Sequence, residues 1–330
     1  MISVCLASYN GEKYIVKCVE SIENAMDWAT KRLLNRNCEI GQILILNDGS
    51  TDATGIQCRE LEQKYTNIKT FELNDEGVSA ARNRGIDCSE GEYLVFVDAD
   101  DVVAEDCFEK LLKVAEETDA DIVGCGFYVR TGIDSSEDRP VPKHVDEYML
   151  YTPQEYIDKQ IILRNNSRCW SKLYRRDTVG EVRFDTGLTI GEDMVYLTEC
   201  VKKSAKVAEM TEYRGYGYLL NATGAMQRPF TPGYMDQITC WERMSELTGL
   251  PLEAKKAIAL MLIASKIAVG TPEDRNENWE YVSKIHEKLV RLLKDYPETL
   301  SKLDRGYRFK CKLFRSNPKL YLTVYHMWKK

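Results

Sequence analysis

The organisation of this chain centres on the stretch Tyr93-Leu94-Val95-Phe96-Val97-Asp98-Ala99-Asp100-Asp101, in which an apolar run ends in three carboxylates. Five bounded apolar residues rich in β-branched and aromatic types predict a buried strand. Because side chains alternate across a strand, Asp98 and Asp100 point to the same side wherever the extended geometry continues through Ala99. Two such carboxylates suit Mg2+ or Mn2+, which takes one or two protein carboxylates and fills its other positions with phosphate and water. A solvated acidic turn is the alternative, since Asp is common in turns.

The residues before this stretch alternate between buried strands and amphipathic helices. The strand runs are 2–7, 43–46 and 68–73, and the helical patterns cover 12–24, 55–65 and 78–86. This alternation predicts a parallel, doubly wound α/β sheet, in which ligands bind at the carboxyl ends of the strands. The polar segments 8–11, 47–52 and 98–101 each follow a strand. We therefore expect them to meet in one crevice, which favours the metal interpretation of Asp98 and Asp100.

Composition is that of an ordinary globular protein, with 44% hydrophobic and 29% charged residues among 330. The net charge of -7 argues against a nucleic-acid partner. Eleven scattered cysteines without a C-x-x-C pair predict buried thiols in a reducing compartment. No export signal and no apolar stretch of about 18 residues is found, so we expect a cytoplasmic protein.

The last segment, 305–330, differs in composition from the rest of the chain. It holds eight Lys or Arg residues and no acid, with aromatic residues interleaved. Cationic segments with aromatic anchors bind the surface of anionic membranes, so peripheral contact at the inner face of the cell membrane is one interpretation. A solvated terminal helix or a partner-binding tail is the other.

Five short strings occur in the order expected for a known family. They are Ala7-Ser8-Tyr9-Asn10-Gly11-Glu12-Lys13-Tyr14, Asn47-Asp48-Gly49-Ser50-Thr51-Asp52, Gly77-Val78-Ser79-Ala80-Ala81-Arg82-Asn83, Asp98-Ala99-Asp100-Asp101 and Gly191-Glu192-Asp193. Together they resemble the inverting glycosyltransferases of family 2, with the GT-A fold. The resemblance implies a Rossmann-like, mostly parallel sheet flanked by helices and followed by a helical C-terminal region. It divides the chain into a nucleotide-sugar-binding part at 1–130, an acceptor-binding part at 131–240 and a helical part at 241–330.

The resemblance also implies a nucleotide-sugar donor, most simply a UDP-sugar, and Mn2+ or Mg2+ as cofactor. Asp48 would accept a hydrogen bond from the base, and Arg82 would face the diphosphate or the donor sugar. Asp100 would be the main metal ligand, with Asp98 near the metal and the ribose and Asp101 as a helper. The residues that would line the nucleoside are Ala7, Ser8 and Tyr9.

On the acceptor side the same resemblance makes Asp193 the catalytic base and Glu192 the residue that positions the acceptor. Trp170 and Lys172 match a Trp-x-Lys string near the acceptor, and a buried core Trp is an equal alternative for Trp170. For Glu192 and Asp193 the alternative is an acidic pair at a helix N-terminus, which the strings upstream outweigh. The implied reaction is a single in-line displacement onto a hydroxyl of a glycan or lipid-linked acceptor, in surface polysaccharide biosynthesis. A non-catalytic nucleotide-sugar-binding module or a sugar nucleotidyltransferase is the alternative.

Two segments depart from the family pattern. Residues 25–42 form a longer segment than in relatives, and Trp28, Arg32 and Arg36 predict an inserted helical turn near the crevice. Leu219, Leu220 and Asn221 stand where many relatives carry Arg and His in a loop that closes over the diphosphate.

Overall fold

The computed structural model describes residues 1–33, 41–132, 147–220 and 229–329. These residues form two compact units. The first, here called the sheet unit, contains the described residues up to 186 and from 192 to 220; the second, the helical unit, contains 187–191 and 229–329. The sequence-based division at residues 130 and 240 separates donor-binding, acceptor-binding and helical parts by their expected roles. It stays a prediction.

The sheet unit alternates strands and helices, as the sequence predicts. Its first half contains β1 (Ile2–Ser8), α1 (Ile15–Leu33), β2 (Gly41–Asn47), α2 (Thr54–Lys64), β3 (Ile68–Glu72), α3 (Val78–Cys88), β4 (Tyr93–Asp98), β5 (Val102–Val103) and α4 (Cys107–Thr118). Its second half contains β6 (Ile122–Arg130), β7 (Tyr148–Tyr151), α5 (Pro153–Tyr156), a π-helical turn (Ile157–Leu163), β8 (Lys172–Arg175), α6 (Arg176–Val179), α7 (Glu192–Lys203) and β9 (Val207–Leu219).

The described strands form one mixed sheet. Strands β3, β2, β1 and β4 lie side by side and parallel, and β8 pairs antiparallel with β4. Beyond β8 lie β6 and then β9, with β5 and β7 both antiparallel to β9. The chain winds outward from β1 to β3 and then places β4 on the other side of β1. The strand order thus reverses between β1 and β4, which is where open α/β sheets bind ligands.

The helix after β1 is longer than the periodicity predicts, and this corrects one expectation. Residues 25–33 belong to α1, whose Met26 methyl group lies beside Gly41 and close to Ile2, at the amino ends of β2 and β1. Trp28 Nε1 donates to Glu109 Oε2 at 2.7 Å. The expectation that this segment lies near the crevice is therefore wrong, because α1 carries it to the opposite edge of the sheet. Arg36 lies outside the described residues.

The helical unit has its own core. Its elements are a 3-10 turn (Pro232–Met235), α8 (Asp236–Thr248), α9 (Glu253–Ala268), α10 (Pro272–Glu277), α11 (Trp279–Asp295), α12 (Thr299–Lys302), α13 (Arg305–Ser316) and α14 (Pro318–Lys329). Helix α9 is buried on most faces, and α11 adds Val282, Ile285 and Leu289 at helical spacing. Within the described residues, no helix is both long and apolar enough to cross a membrane. The mixed α/β sheet and the helical C-terminal region confirm the predicted fold class.

Candidate active site

The loops that follow β1 and β2 are joined by hydrogen bonds at the carboxyl edge of the sheet. Asn10 N–H donates to Ser50 Oγ at 2.9 Å, and its side-chain oxygen accepts from Thr51 N–H at 2.8 Å. Gly11 N–H donates to Thr54 Oγ1 at 2.8 Å. These bonds bring two of the predicted polar segments together and build one wall of a crevice.

Asp48 fixes the entry to α3. Its two carboxylate oxygens accept from Glu76 N–H at 2.8 Å and from Gly77 N–H at 2.7 Å, and the residue is buried. Gly77 has φ of +90°, a conformation that residues with a Cβ rarely adopt. Asp48 thereby positions the helix that carries Arg82. Its predicted bond to a nucleotide base would be an additional one and stays a prediction.

The residues predicted to line the nucleoside lie at the end of β1. Ala7 is half-buried, Tyr9 is exposed, and Ser8 is buried. Ser8 Oγ has no hydrogen-bond partner among the described residues. Buried hydroxyl groups are normally paired, so this one is free to meet a polar atom of a ligand.

Arg82 joins the two halves of the predicted site. Its guanidinium group is buried and contacts three carboxylates: Asp98 Oδ1 at 2.9 Å, Asp193 Oδ1 at 2.7 Å and Glu192 Oε1 at 3.4 Å. The backbone N–H of Cys169 donates to the second oxygen of Asp193 at 3.3 Å. Helix α3, the end of β4 and the start of α7 thus converge on one side chain. We call Arg82, Asp98, Glu192 and Asp193 the Arg82 cluster.

The Arg82 cluster carries an excess of negative charge. Burial alone would lower the pKa of Arg82, but Asp193, Asp98 and Glu192 outweigh it and raise that pKa well above its usual value. Burial, and then the neighbouring Asp193, raise the pKa of Glu192 to about 7. Within the cluster one guanidinium therefore faces up to three carboxylates, and Arg168 is a further cation that interacts with Asp193.

The three carboxylates of the acidic run have different surroundings. Asp98 and Asp100 are partly exposed, whereas Asp101 is buried. Asp101 accepts hydrogen bonds from Tyr216 Oη and Leu219 N–H, both at 2.7 Å, and burial, with the charges of Asp98 and Asp100, raises its pKa well above its usual value. Both oxygens of Asp101 hold β9 in place, which disfavours a direct contact with a metal, and its role as a helper stays a prediction.

The described residues contain no group of three or more His, Cys, Asp or Glu side chains that could hold a metal ion by themselves. Asp98 and Asp100 supply hard oxygen donors, which fit Mg2+ or Mn2+ when a ligand's phosphates complete the shell. The charge of the site supports that fit. A diphosphate entering a crevice that is already negative needs a positive counter-charge.

The Trp-x-Lys string does not reach the crevice surface. Trp170 is buried and its ring stacks on Tyr216, with ring centroids 4.4 Å apart. Lys172 is fully buried, and its ammonium donates to Asn166 Oδ1 at 3.2 Å. Neither side chain is placed to contact an acceptor, because packing and burial occupy both. Of the residues predicted on the acceptor side, only Glu192 and Asp193 line the crevice.

Lys172 belongs to a second buried charged group. Asn166 joins Lys172 to Glu209, because its amide nitrogen donates to Glu209 Oε1 at 3.1 Å. Tyr156 Oη donates to the other oxygen of Glu209 at 2.8 Å. Gly124 lies between Lys172 and Glu209 in the sheet register and leaves room for the Glu209 carboxylate. We call Lys172, Asn166, Glu209 and Tyr156 the Lys172 cluster.

The sequence interpretation missed two contributors to the site. They are Tyr216, whose hydroxyl accepts from Asp98 N–H at 3.2 Å and donates to Asp101, and the backbone N–H of Cys169. Tyr216 has a signal in the sequence, since it alternates with Tyr218 toward one face of a strand. The N–H of Cys169 has none. Asn221, in the divergent loop, lies outside the described residues.

Comparisons with known proteins identify the family of the chain. A family model described as Glycosyl transferase family 2 matches residues 3–183. The uncharacterized glycosyltransferase EpsJ of Bacillus subtilis is 29% identical over 244 residues, which cover 72% of this chain and 66% of EpsJ. The minor teichoic acid biosynthesis protein GgaB of Bacillus subtilis is 29% identical over 307 residues, which cover 87% of this chain and 32% of GgaB. The chain thus spans two thirds or less of these two relatives.

Among solved structures, S. aureus TarS 1-349 in complex with UDP-GlcNAc superposes with a TM-score of 0.63 at 18% identity. The superposition covers 99% of this chain and 91% of TarS 1-349. At that identity the likeness shows the fold alone. The family match over more than half of the chain shows the family. This chain belongs to glycosyltransferase family 2 and has the GT-A fold.

Proposed function

We propose that this protein is a metal-dependent inverting glycosyltransferase that moves a hexosyl group from a UDP-sugar to a hydroxyl of a glycan or lipid-linked acceptor. The observation that carries the proposal is the Arg82 cluster. It joins Asp98, on the strand end predicted to hold the donor, to Asp193, the predicted base. Both halves of a transfer reaction thus meet at the position where the strand order reverses.

The proposed reaction is one in-line displacement. Asp193 takes the proton of the acceptor hydroxyl while the oxygen of that hydroxyl bonds to the anomeric carbon of the donor sugar. The bond from that carbon to the diphosphate breaks at the same time, and the electron pair leaves with the nucleoside diphosphate. Attack from the face opposite the leaving group inverts the anomeric configuration. Glu192 lies beside the base and positions the acceptor.

Arg82 acts on the leaving group in this proposal. A planar guanidinium suits a diphosphate, whose negative charge increases as the bond breaks. The same group contacts Asp193 in the structure, so a bound diphosphate competes with Asp193 for it. Movement of Arg82 toward the donor frees the Asp193 carboxylate for the acceptor. Asp98 and Asp100 would hold Mg2+ or Mn2+, and the metal, when bound, supplies positive charge to the departing phosphate oxygens.

The comparisons support the substrate classes without identifying them. TarS was solved with UDP-GlcNAc, which supports a UDP-sugar as donor. GgaB bears a name from teichoic acid biosynthesis, which supports an acceptor from surface polysaccharide biosynthesis. The cellular setting belongs to the proposal as well. We propose a cytoplasmic enzyme that contacts the inner face of the membrane through residues 305–330, where a lipid-linked acceptor would lie.

The test is release of the nucleoside diphosphate from a panel of nucleotide sugars, with and without Mn2+. We expect turnover of a UDP-sugar that depends on metal and is lost in Asp100→Ala. Glu105→Ala is the matched control, since Glu105 is an exposed carboxylate a few residues away. Turnover that is indifferent to both metal and Asp100→Ala would contradict the proposal. Pyrophosphate release from a nucleoside triphosphate would indicate a nucleotidyltransferase, and binding without turnover across a wide acceptor panel would indicate a binding module.

A further inference from the structure

Helices α13 and α14 carry positive charge that no carboxylate of the described residues neutralises by an ion pair. Residues 305–329 include seven Lys or Arg and no Asp or Glu, although the whole protein has a net charge of -7. Within the described part of the chain, none of the seven forms an ion pair with a carboxylate. Arg308 has hydrogen-bond partners, since its guanidinium donates to the carbonyl groups of Leu300, Ser301 and Leu303. The most exposed cations are Arg305, Lys312, Arg315, Lys319 and Lys329.

Helix α14 also exposes an apolar stripe. The stripe follows the helical period, with members three or four residues apart, and Trp328 and Met327 are 70% and 64% exposed. Tyr321 and Leu322 of the same helix are buried and pack into the core of the helical unit. The stripe consists of Leu320, Val324, Met327 and Trp328.

Helix α13 continues this apolar surface. Phe309 is 62% exposed and lines the same apolar groove as Val324 and Trp328 of α14. Arg305 and Lys312 lie one turn before and one turn after Phe309, so they share its side of the helix. The two helices therefore present one surface in which exposed aromatic and aliphatic side chains are bordered by cations. We call it the α13–α14 face.

We propose that the α13–α14 face binds the surface of a bilayer that contains anionic lipids. Trp and Phe side chains enter the interfacial region of a bilayer, and the surrounding cations meet the lipid phosphates. The charge selects this occupant over a second copy of the chain. Two such faces in contact would bring their cations together without any acid to pair with them. This proposal rests on the membrane contact of the proposed function and names the residues and the lipid class of that contact. Vesicle binding needs neither a sugar donor nor an acceptor, so a failure to bind vesicles is distinguishable from a failure of transfer.

The test is flotation of the full chain with vesicles of phosphatidylcholine alone and of phosphatidylcholine mixed with phosphatidylglycerol. We expect binding only to the mixed vesicles, and weaker binding as salt is raised. The triple variant Arg305→Gln, Lys310→Gln, Lys312→Gln removes two cations beside Phe309 and one that lines the groove, and it should bind about fivefold more weakly for each charge removed. Phe309→Ala and Trp328→Ala should each weaken binding about tenfold, because less apolar area is inserted.

Matched controls distinguish a specific effect of the α13–α14 face from a change in net charge and from the loss of any exposed apolar side chain. The triple variant Lys284→Gln, Lys288→Gln, Lys294→Gln changes the net charge equally, on exposed positions of α11. Leu163→Ala removes an apolar side chain that is 75% exposed in the sheet unit. Both controls should bind within about twofold of the wild type. Circular dichroism and the unfolding temperature verify that each variant is folded.

Three results would overturn the inference. They are a wild-type chain that does not float with the mixed vesicles, α13–α14 variants that bind as the wild type does, and controls that lose binding equally. Light scattering adds a fourth. A dimer that dissociates in Trp328→Ala, without vesicle binding by the wild type, would assign the face to a second copy.

Discussion

The sheet unit contains two buried charged groups, and the contrast between them separates a site from a structural support. The Arg82 cluster pairs one guanidinium with three carboxylates, and Asp98 and Asp193 keep 30% and 21% of their side chains exposed. In the Lys172 cluster, one ammonium and one carboxylate share the amide of Asn166, and Lys172 is fully buried. The first group has unbalanced charge and access to solvent. The second lies deeper, with Lys172 and Glu209 both buried, and Arg168 adds a second positive charge that interacts with Glu209.

This difference identifies where a ligand can act. Buried charges need partners, and a group that already has them gains little from a ligand. The Arg82 cluster has more carboxylates than cations and gains from a bound cation, whereas the one carboxylate of the Lys172 cluster already interacts with Arg168 and shares Asn166 with Lys172. Both groups include residues from strings that resemble family motifs. A motif therefore identifies residues, but only the surroundings decide whether a residue meets the substrate.

The largest expected effect comes from removing the guanidinium of the Arg82 cluster. Arg82→Ala should lower kcat/KM for transfer about 10^3-fold, because the leaving group loses its preorganised cation. It should also lower the free energy of unfolding by about 3 kcal/mol, since buried carboxylates lose their partner. Arg82→Lys should recover part of both. Arg84→Ala, an exposed arginine on the same helix, is the control and should behave as the wild type in steady-state kinetics and urea unfolding.

The matching change in the Lys172 cluster should affect stability and not substrate binding. Lys172→Met keeps the length of the side chain but removes the ammonium next to Asn166 and Glu209. We expect a loss of about 2–3 kcal/mol in the free energy of unfolding. The acceptor KM should stay within about twofold of the wild type. A raised acceptor KM with unchanged stability would show that Lys172 contacts the acceptor after all, and the contrast between the clusters would fail.

Glu192 gives the Arg82 cluster a pH signature. Its pKa is about 7 in the folded protein against an ordinary value of 4.5, so the folded state binds the proton more tightly than the unfolded chain. The stabilisation is complete below pH 4.5 and is lost as pH rises through about 7. Relative to Glu192→Gln, the wild type should lose at most about 3 kcal/mol of unfolding free energy over that range. Parallel stability curves for the two proteins, from urea unfolding at a series of pH values, would contradict the assignment.

The acidic run 98–101 also contains one residue with a structural role, Asp101, and one with a proposed role in metal binding, Asp100. Here the expected effect on stability is the smallest. Asp101→Asn should lower the free energy of unfolding by about 1–2 kcal/mol, because Asn keeps one acceptor oxygen where Asp101 uses two, for Tyr216 Oη and Leu219 N–H. It should leave the Mn2+ concentration for half-maximal activity within about twofold, whereas Asp100→Asn should raise it about tenfold or more. Metal titrations of the two variants provide the comparison. Equal shifts would show that Asp101 also binds the metal.

Much of the fold was accessible from the sequence, because local patterns determine it. The apolar runs that became β1, β2 and β4 and the polar segments after them were all predicted, since burial and alternation are local properties. The strand order was not predicted, because the placement of β4 beside β1 depends on how the whole chain packs. The length of α1 was also missed. Residues 25–33 continue the helix through contacts with α4, such as that of Trp28 with Glu109.

Part of the candidate site is also predictable from the sequence, because several of its residues lie in short local strings. Arg82, Asp98 and Asp193 were predicted to act in one site, and the structure brings them together on one guanidinium. Their roles in transfer stay predictions. The burial of Asp101 was not predictable, because β9, which binds it, lies more than a hundred residues away in sequence. Lys172 shows the converse, since a charged residue in a familiar string is buried by Asn166 and Glu209, which no string marks.

The most direct test of the central claim is to measure donor binding and transfer separately in Asp193→Asn. If the Arg82 cluster unites a donor half with a base, UDP should bind this variant, with Mn2+ present, within about threefold of the wild-type affinity. The rate of sugar transfer should fall about 10^3-fold, because the acceptor hydroxyl loses its proton acceptor. Transfer within about tenfold of the wild-type rate, with the same donor and acceptor, would contradict the account.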